Sequence, residues 1–162
     1  MPTPPGNDAL PTAVAAAVDC PRAIEELAQL YAELAETQDG SDRHCFGGGT
    51  CCRFGAYGHR LYVTALELAA LLRERPVDSS RPARMLCAYQ QGPLCRARTW
   101  RPLGCRTYFC QGDPQAQSGI HERFHQRLTN IHKRFDLPYL YCELTAALEV
   151  LAENAGAARE LD

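Results

Sequence analysis

His44-Cys45-Phe46-Gly47-Gly48-Gly49-Thr50-Cys51-Cys52 is the stretch on which the reading of this chain turns. It joins three consecutive glycines to an adjacent cysteine pair. Glycine, lacking a Cβ, lets the backbone fold closely around a small centre. Cysteine thiolate is a soft, charged ligand that suits zinc or iron–sulfur clusters. A second group follows at Cys87, Cys95, Cys105 and Cys110, threaded with Arg96, Arg98, Arg101 and Arg106. Seven of the nine cysteines thus fall between positions 45 and 110, with Cys20 and Cys142 outside. Cys45, Cys51, Cys52, Cys87, Cys95, Cys105 and Cys110 are therefore the candidate metal ligands.

A disulfide framework is the competing reading, and the start of the chain bears on it. Residues 1–20 carry Pro2, Pro4, Pro5, Pro11 and Asp8, not the basic start and apolar core of a secretory signal. No stretch approaches the roughly 20 apolar residues of a membrane span. A cytoplasmic location and no membrane partner are expected. In that reducing setting clustered cysteines point to metal or redox chemistry rather than to disulfides.

The length of 162 residues suits one domain with a sizeable core. The net charge of −2 hides an asymmetry, because residues 79–112 hold six arginines and no Asp or Glu. Such a stretch can be a patch for nucleic acid, or it can offset the negative charge of several thiolates on one metal. Interleaving of the arginines with the cysteines favours the second. Nucleic acid is not expected as a partner; a protein partner is left open.

Away from the cysteines the pattern is helical. Residues 1–18, rich in Pro and Ala, are expected to be a disordered or loosely attached tail. Pro21 suits a first helical position, and Ile24, Leu27, Tyr31 and Leu34 recur at helical spacing until Asp39-Gly40. Residues 57–63 read as a short strand. Thr64-Ala65-Leu66-Glu67 is a capping box that opens a helix running to about Arg75, before Pro76. Residues 77–83 read as a linker, and 84–113 as irregular. Ile120, Phe124, Leu128, Ile131 and Phe135 form one apolar stripe, and Tyr141, Leu144, Leu148 and Leu151 another. The two stripes are expected to pack on each other as a helical hairpin, with the first helix completing a bundle.

The expected fold is therefore mainly α: a small helical bundle with a cysteine-rich irregular metal-binding region and at most a short β element. Residues 19–156 would form a single metal-binding domain, with 157–162 as a C-terminal tail.

The spaced pieces Cys45, Cys51-Cys52, Tyr62-Val63-Thr64-Ala65-Leu66-Glu67, Cys87, Cys95, Arg101-Pro102 and Cys105-Arg106 carry a resemblance. Over residues 44–110 the chain resembles the zinc- or iron-chelating cysteine-cluster proteins of the YkgJ family, whose signature is C-x2-C-x2-C-C. The register departs from that signature at Gly48, where the family's second cysteine would stand. Cys110 is the better candidate to supply the missing ligand, and His44 is left out of the site. Some proteins resembling this family are iron–sulfur-containing protein-lysine N-methylases, so the resemblance also implies an enzymatic alternative.

The chain has no Cys-x2-Cys pair of the kind that zinc fingers use. The side chains of adjacent cysteines diverge, so Cys51 and Cys52 more easily serve different metal atoms than one. An iron–sulfur cluster is placed slightly ahead of zinc as the cofactor. A second motif, His121-Glu122-Arg123-Phe124-His125, matches the H-E-x-x-H of zinc hydrolases, with Glu143 as the candidate third ligand. Arg123 inside it weighs against a hydrolase. The leading function is a metal-binding protein whose centre is structural or redox-active. The alternatives are the lysine N-methylase-like enzyme and a zinc-stabilised module that binds nucleic acid.

Overall fold

The computed structural model describes residues 8–38, 49–76, 86–108 and 112–159. Among them the chain is mainly helical, with α1 (Ala9–Val18), α2 (Pro21–Gln38), α3 (Phe54–Tyr57), α4 (Ala65–Glu74), α5 (Leu103–Thr107), α6 (Pro114–Arg134) and α7 (Leu144–Arg159). Two small antiparallel ribbons accompany them: β1 (Tyr62–Thr64) with β4 (Tyr141–Glu143), and β2 (Gln90–Gln91) with β3 (Leu94–Cys95). No helix among the described residues is long and apolar enough to cross a membrane. The expected linker over 77–83 lies outside the described residues.

The core is built around α4. Its capping box is formed in full, with the Thr64 hydroxyl accepting from the Glu67 N–H and the Glu67 carboxylate accepting from the Thr64 N–H. Every residue from Ala65 to Leu71 is buried, so this helix is covered on all sides. One cover is α1, which turns Leu10, Ala13, Val14 and Ala17 inward. The expectation of a loose tail over residues 1–18 is corrected here, since Ala9–Val18 is a packed helix. Its alanines have no bulk to hold the two backbones apart, and Ala is the strongest helix former.

The helix α2 starts at Pro21 and buries Ile24, Leu27, Leu30, Tyr31 and Leu34, as its spacing predicts. It packs against α6, which starts at Pro114 because Asp113 caps it by accepting from the N–H groups of Gln115 and Ala116. Two ion pairs cross the outer edge of this contact, Arg127 with Glu33 at 2.6 Å and Arg134 with Glu26. Both are largely exposed and contribute little.

Two expectations fail at the next step. The strand expected over 57–63 is only Tyr62–Thr64, since Phe54–Tyr57 forms a helical turn closed by left-handed Gly58. The helical hairpin of the last two helices is not formed, because α6 packs on α2 and α5 while α7 packs on α1. The cause lies between them. Tyr141 is a strand residue of β4, paired with Thr64 of β1, rather than part of a helical stripe. The flanking main-chain bonds, Ala65 N–H to Leu140 O and Leu144 N–H to Leu61 O, extend the ribbon and re-aim the chain before α7 starts. The expected C-terminal tail is also shorter, since α7 is helical to Arg159.

Candidate metal centre

The cysteines are positioned by local structure from separate parts of the chain. Cys51 and Cys52 lie on a 3-10 turn, Thr50–Cys52, reached through Gly49 in the left-handed region at φ 65°. Only glycine fits there, because a Cβ would also meet the Gln90 Nε2 at 2.4 Å. The Gln90 amide donates to the Gly49 carbonyl at 3.0 Å and to the Gly92 carbonyl at 3.1 Å, tying the turn to the β2–β3 hairpin that carries Cys95. Cys87 is joined to the turn directly, its N–H donating to the Cys52 carbonyl at 2.8 Å. Cys105 sits on α5.

The position of α5 is set by Glu67, which is 2% exposed. One carboxylate oxygen completes the capping box; the other accepts from the Leu103 N–H at 2.7 Å and from the Tyr31 hydroxyl at 3.1 Å. The Arg106 guanidinium lies 3.9 Å over the Tyr31 ring and donates from Nε to the Arg101 carbonyl at 2.6 Å. Gly104 completes the contact by leaving room for Leu61, whose Cδ1 would stand 2.4 Å from a Cβ. The buried carboxylate of α4 thus holds the Arg101–Cys105 segment from behind.

Cys51, Cys52, Cys87, Cys95 and Cys105 all line one cavity of about 430 Å³. Cys51 is exposed, Cys87 buried, and the other three half-buried. Cys45 and Cys110 lie outside the described residues, as do His44 and Gly48. Cys20 and Cys142, expected outside the site, do not line the cavity, and the Cys142 thiol instead faces the Val63 carbonyl at 3.8 Å.

The sulfurs sense one another. The neighbouring Cys52 thiol, together with burial, pushes the Cys51 thiol well up. Cys51 lowers Cys52, but Cys87 and burial carry it up to about 11. Burial, and then the charge of Cys52, raise Cys105. Arg101 opposes these shifts at both Cys51 and Cys105. Its Nε is buried and has no hydrogen-bond partner among the described residues. A cation with an unmet donor beside five thiols suits a centre that carries negative charge. The donor set therefore fits zinc or an iron–sulfur cluster in its chemistry. Among the described residues, however, no three Cys, His, Asp or Glu side chains are already drawn together as metal ligands.

The H-E-x-x-H histidines have other work. Thr107 Oγ1 donates to the Leu103 carbonyl, so His121 Nδ1, at 3.0 Å, is the donor to that hydroxyl. His125 Nε2 stands 2.7 Å from the Tyr139 hydroxyl, and the Glu143 carboxylate caps α7 through Thr145 and Ala146. All three side chains are engaged in holding the fold.

Two cavity residues were not legible as such in the sequence. His59 Nε2 meets the Cys51 carbonyl at 2.7 Å and its ring stands edge-on to Phe54. Tyr108 lines the cavity and lies against His121, joining the cysteine region to α6. Neither belongs to a recognisable spacing. No family model, no curated protein and no solved structure matches this chain, so its resemblance to the cysteine-cluster family rests on the spaced motifs alone.

Proposed function

We propose that this chain is a metal-binding protein of the cytoplasm, with a zinc or iron–sulfur centre held by cysteine thiolates in a structural or redox role. The observation that carries the reading is the gathering of five cysteines, separated by up to 54 positions, around one cavity with the unpaired Arg101 Nε. Cys51, Cys52, Cys87, Cys95 and Cys105 would supply the ligands, with Cys45 and Cys110 as the further candidates. Zinc would cross-link these segments, and an iron–sulfur cluster would add the capacity to take up one electron.

The arginines support the compensating role assigned to them. Arg101 faces the thiols, and Arg106 is held by Tyr31 and the main chain rather than offered to a polyanion. The likeness of the spaced motifs to zinc- or iron-chelating proteins points the same way.

Metal and acid-labile sulfide analysis after oxygen-free purification tests the proposal. Iron with sulfide, or zinc without it, at one or more atoms per chain is expected. Substituting Cys87 and Cys105 together by Ser should abolish it. A wild-type chain that is folded, reduced and free of both metals after reconstitution would overturn the reading.

A further inference from the structure

Cys52 and Cys87 open onto the same cavity from two segments of the chain that meet there. The Cys52–Cys87 pair is also joined through the main chain, by the 2.8 Å bond from the Cys87 N–H to the Cys52 carbonyl. A disulfide needs its Cα atoms roughly 4.4–6.8 Å apart and its Cβ atoms turned toward each other. A main-chain bond between two residues meets the first condition, and the two side chains, lining one cavity, lie to the same side.

The other pairings are less suited. A bond between the adjacent Cys51 and Cys52 would close a small ring through one peptide unit, and its strain would fall on the planar amide. Cys95 is held on the β2–β3 hairpin, paired with Gln90 rather than with Cys52 or Cys87. Cys105 is further fixed on α5 by the grip of Glu67 on Leu103.

We propose that Cys52 and Cys87 are a redox-active dithiol, a site of oxidation at which peroxide closes a disulfide. The Cys52 sulfur attacks one peroxide oxygen; the O–O bond breaks, a sulfenic acid forms, and the thiol proton leaves with the other oxygen as water. The Cys87 sulfur then attacks the Cys52 sulfur. The S–S bond forms, the S–O bond breaks, and a second water leaves with the second thiol proton. Two thiols lose two electrons, and one peroxide is reduced to two waters.

Peroxide is small enough to enter the cavity on which both sulfurs lie. Cys52 is half-buried and reached through that cavity, so the first attack is slow. The main-chain bond and the shared cavity carry this inference. It rests on the metal reading of the preceding subsection only for its consequence, that closing the bond removes two donors and releases the metal.

The test treats the full chain, metal-loaded and metal-stripped, with a small excess of hydrogen peroxide over hours. Metal content is measured and disulfides are mapped on the same samples by non-reducing peptide mass spectrometry, with fragmentation to separate Cys51 from Cys52. The expected result is a dominant Cys52–Cys87 bond, reversed by dithiothreitol, with metal lost in step. Cys51→Ser and Cys142→Ser should retain the bond, and Cys87→Ser should stop at sulfenic acid or overoxidised Cys52. Random pairing, a dominant bond elsewhere, or persistence of all thiols in the stripped chain would overturn the inference. The wild-type map decides even where a Ser variant fails to fold. A chain that never binds metal yet forms this bond would overturn the function proposed above and support the dithiol. A chain that binds metal and never forms it, loaded or stripped, would do the reverse.

Discussion

Glu67 does more for this protein than its place in a capping box suggests. Its carboxylate meets the Thr64 N–H and hydroxyl, the Leu103 N–H and the Tyr31 hydroxyl, all in the interior. Charged hydrogen bonds are worth roughly 1.5–3 kcal/mol each, and a stranded buried donor adds a penalty. Glu67→Ala should therefore destabilise the fold by roughly 2–4 kcal/mol, read as a lower urea midpoint. Glu67→Gln, which keeps one acceptor, should lose less. His132 makes the second prediction at this scale. It is 1% exposed; Nδ1 faces the Pro138 carbonyl at 3.2 Å and therefore carries the proton, while Nε2 is buried without a partner among the described residues. Burial lowers its pKa, against the backbone carbonyls that raise it and with His125 nearby that lowers it further; the Tyr139 ring stands edge-on to it. As pH falls through about 6.5 the unfolded chain takes up a proton that the folded chain still refuses. The stability present at neutral pH should thus be lost progressively below that point. His121, lowered chiefly by burial, adds in the same direction. Urea midpoints between pH 7.5 and 5 should fall in the wild type and fall less in His132→Gln.

At the scale of elements, the fold is a set of helices held through α4 and a two-stranded ribbon. Leu128 on α6 and Leu144 on α7 are both fully buried, yet they belong to different contacts. Leu128→Ala and Leu144→Ala should each cost roughly 2–5 kcal/mol through lost burial and cavity formation. Because the two helices do not form a hairpin, the double variant should be near the sum of the singles. Coupling well above about 0.5 kcal/mol in a double-mutant cycle would contradict this. The helix α1 tests a different property. Ala13 and Ala17 are at most 1% exposed where α1 meets α4, so Ala17→Leu should overpack that contact by roughly 1–3 kcal/mol, measurable as a lower Tm.

Over the whole molecule the apolar contacts are unevenly shared. Helices α2, α4, α6 and α7 hold most of the large fully buried side chains, while residues 86–108 contribute chiefly Leu103. Burial alone offsets little of the conformational entropy of that region. Removing the proposed metal should therefore abolish hydrogen-exchange protection mainly in residues 49–52 and 86–108, and leave the helices protected. Equal protection in loaded and stripped protein would mean that the cysteines do not organise this part of the chain. Metal affinity should also rise with pH across the neutral range, because the raised thiols of Cys51, Cys52 and Cys105 must each lose a proton to bind. Competition titrations with a chelator at pH 6.5 and 8 would measure it.

What could be read without a structure was whatever repeats at short range. The helical class, the Pro21 start, the buried stripe of α2 and the Thr64–Glu67 capping box all follow from neighbours within a few residues. The clustering of cysteines was legible in the same way, as a composition of one region. The rest depended on partners far apart in the chain, which no local period records. Pairing of Tyr141 with Thr64 turned an expected helical stripe into a strand and sent α7 to α1. The neighbouring α4 converted an alanine-rich start into a buried helix, since a weakly apolar face becomes a good one only when its partner is supplied. The second grip of Glu67, on Leu103 at a separation of 36 residues, placed Cys105 beside the other thiols. Sequence alone determined that thiols and helices would be present. Tertiary structure alone decided which sulfurs meet, because that depends on non-local hydrogen bonds and on the packing of faces.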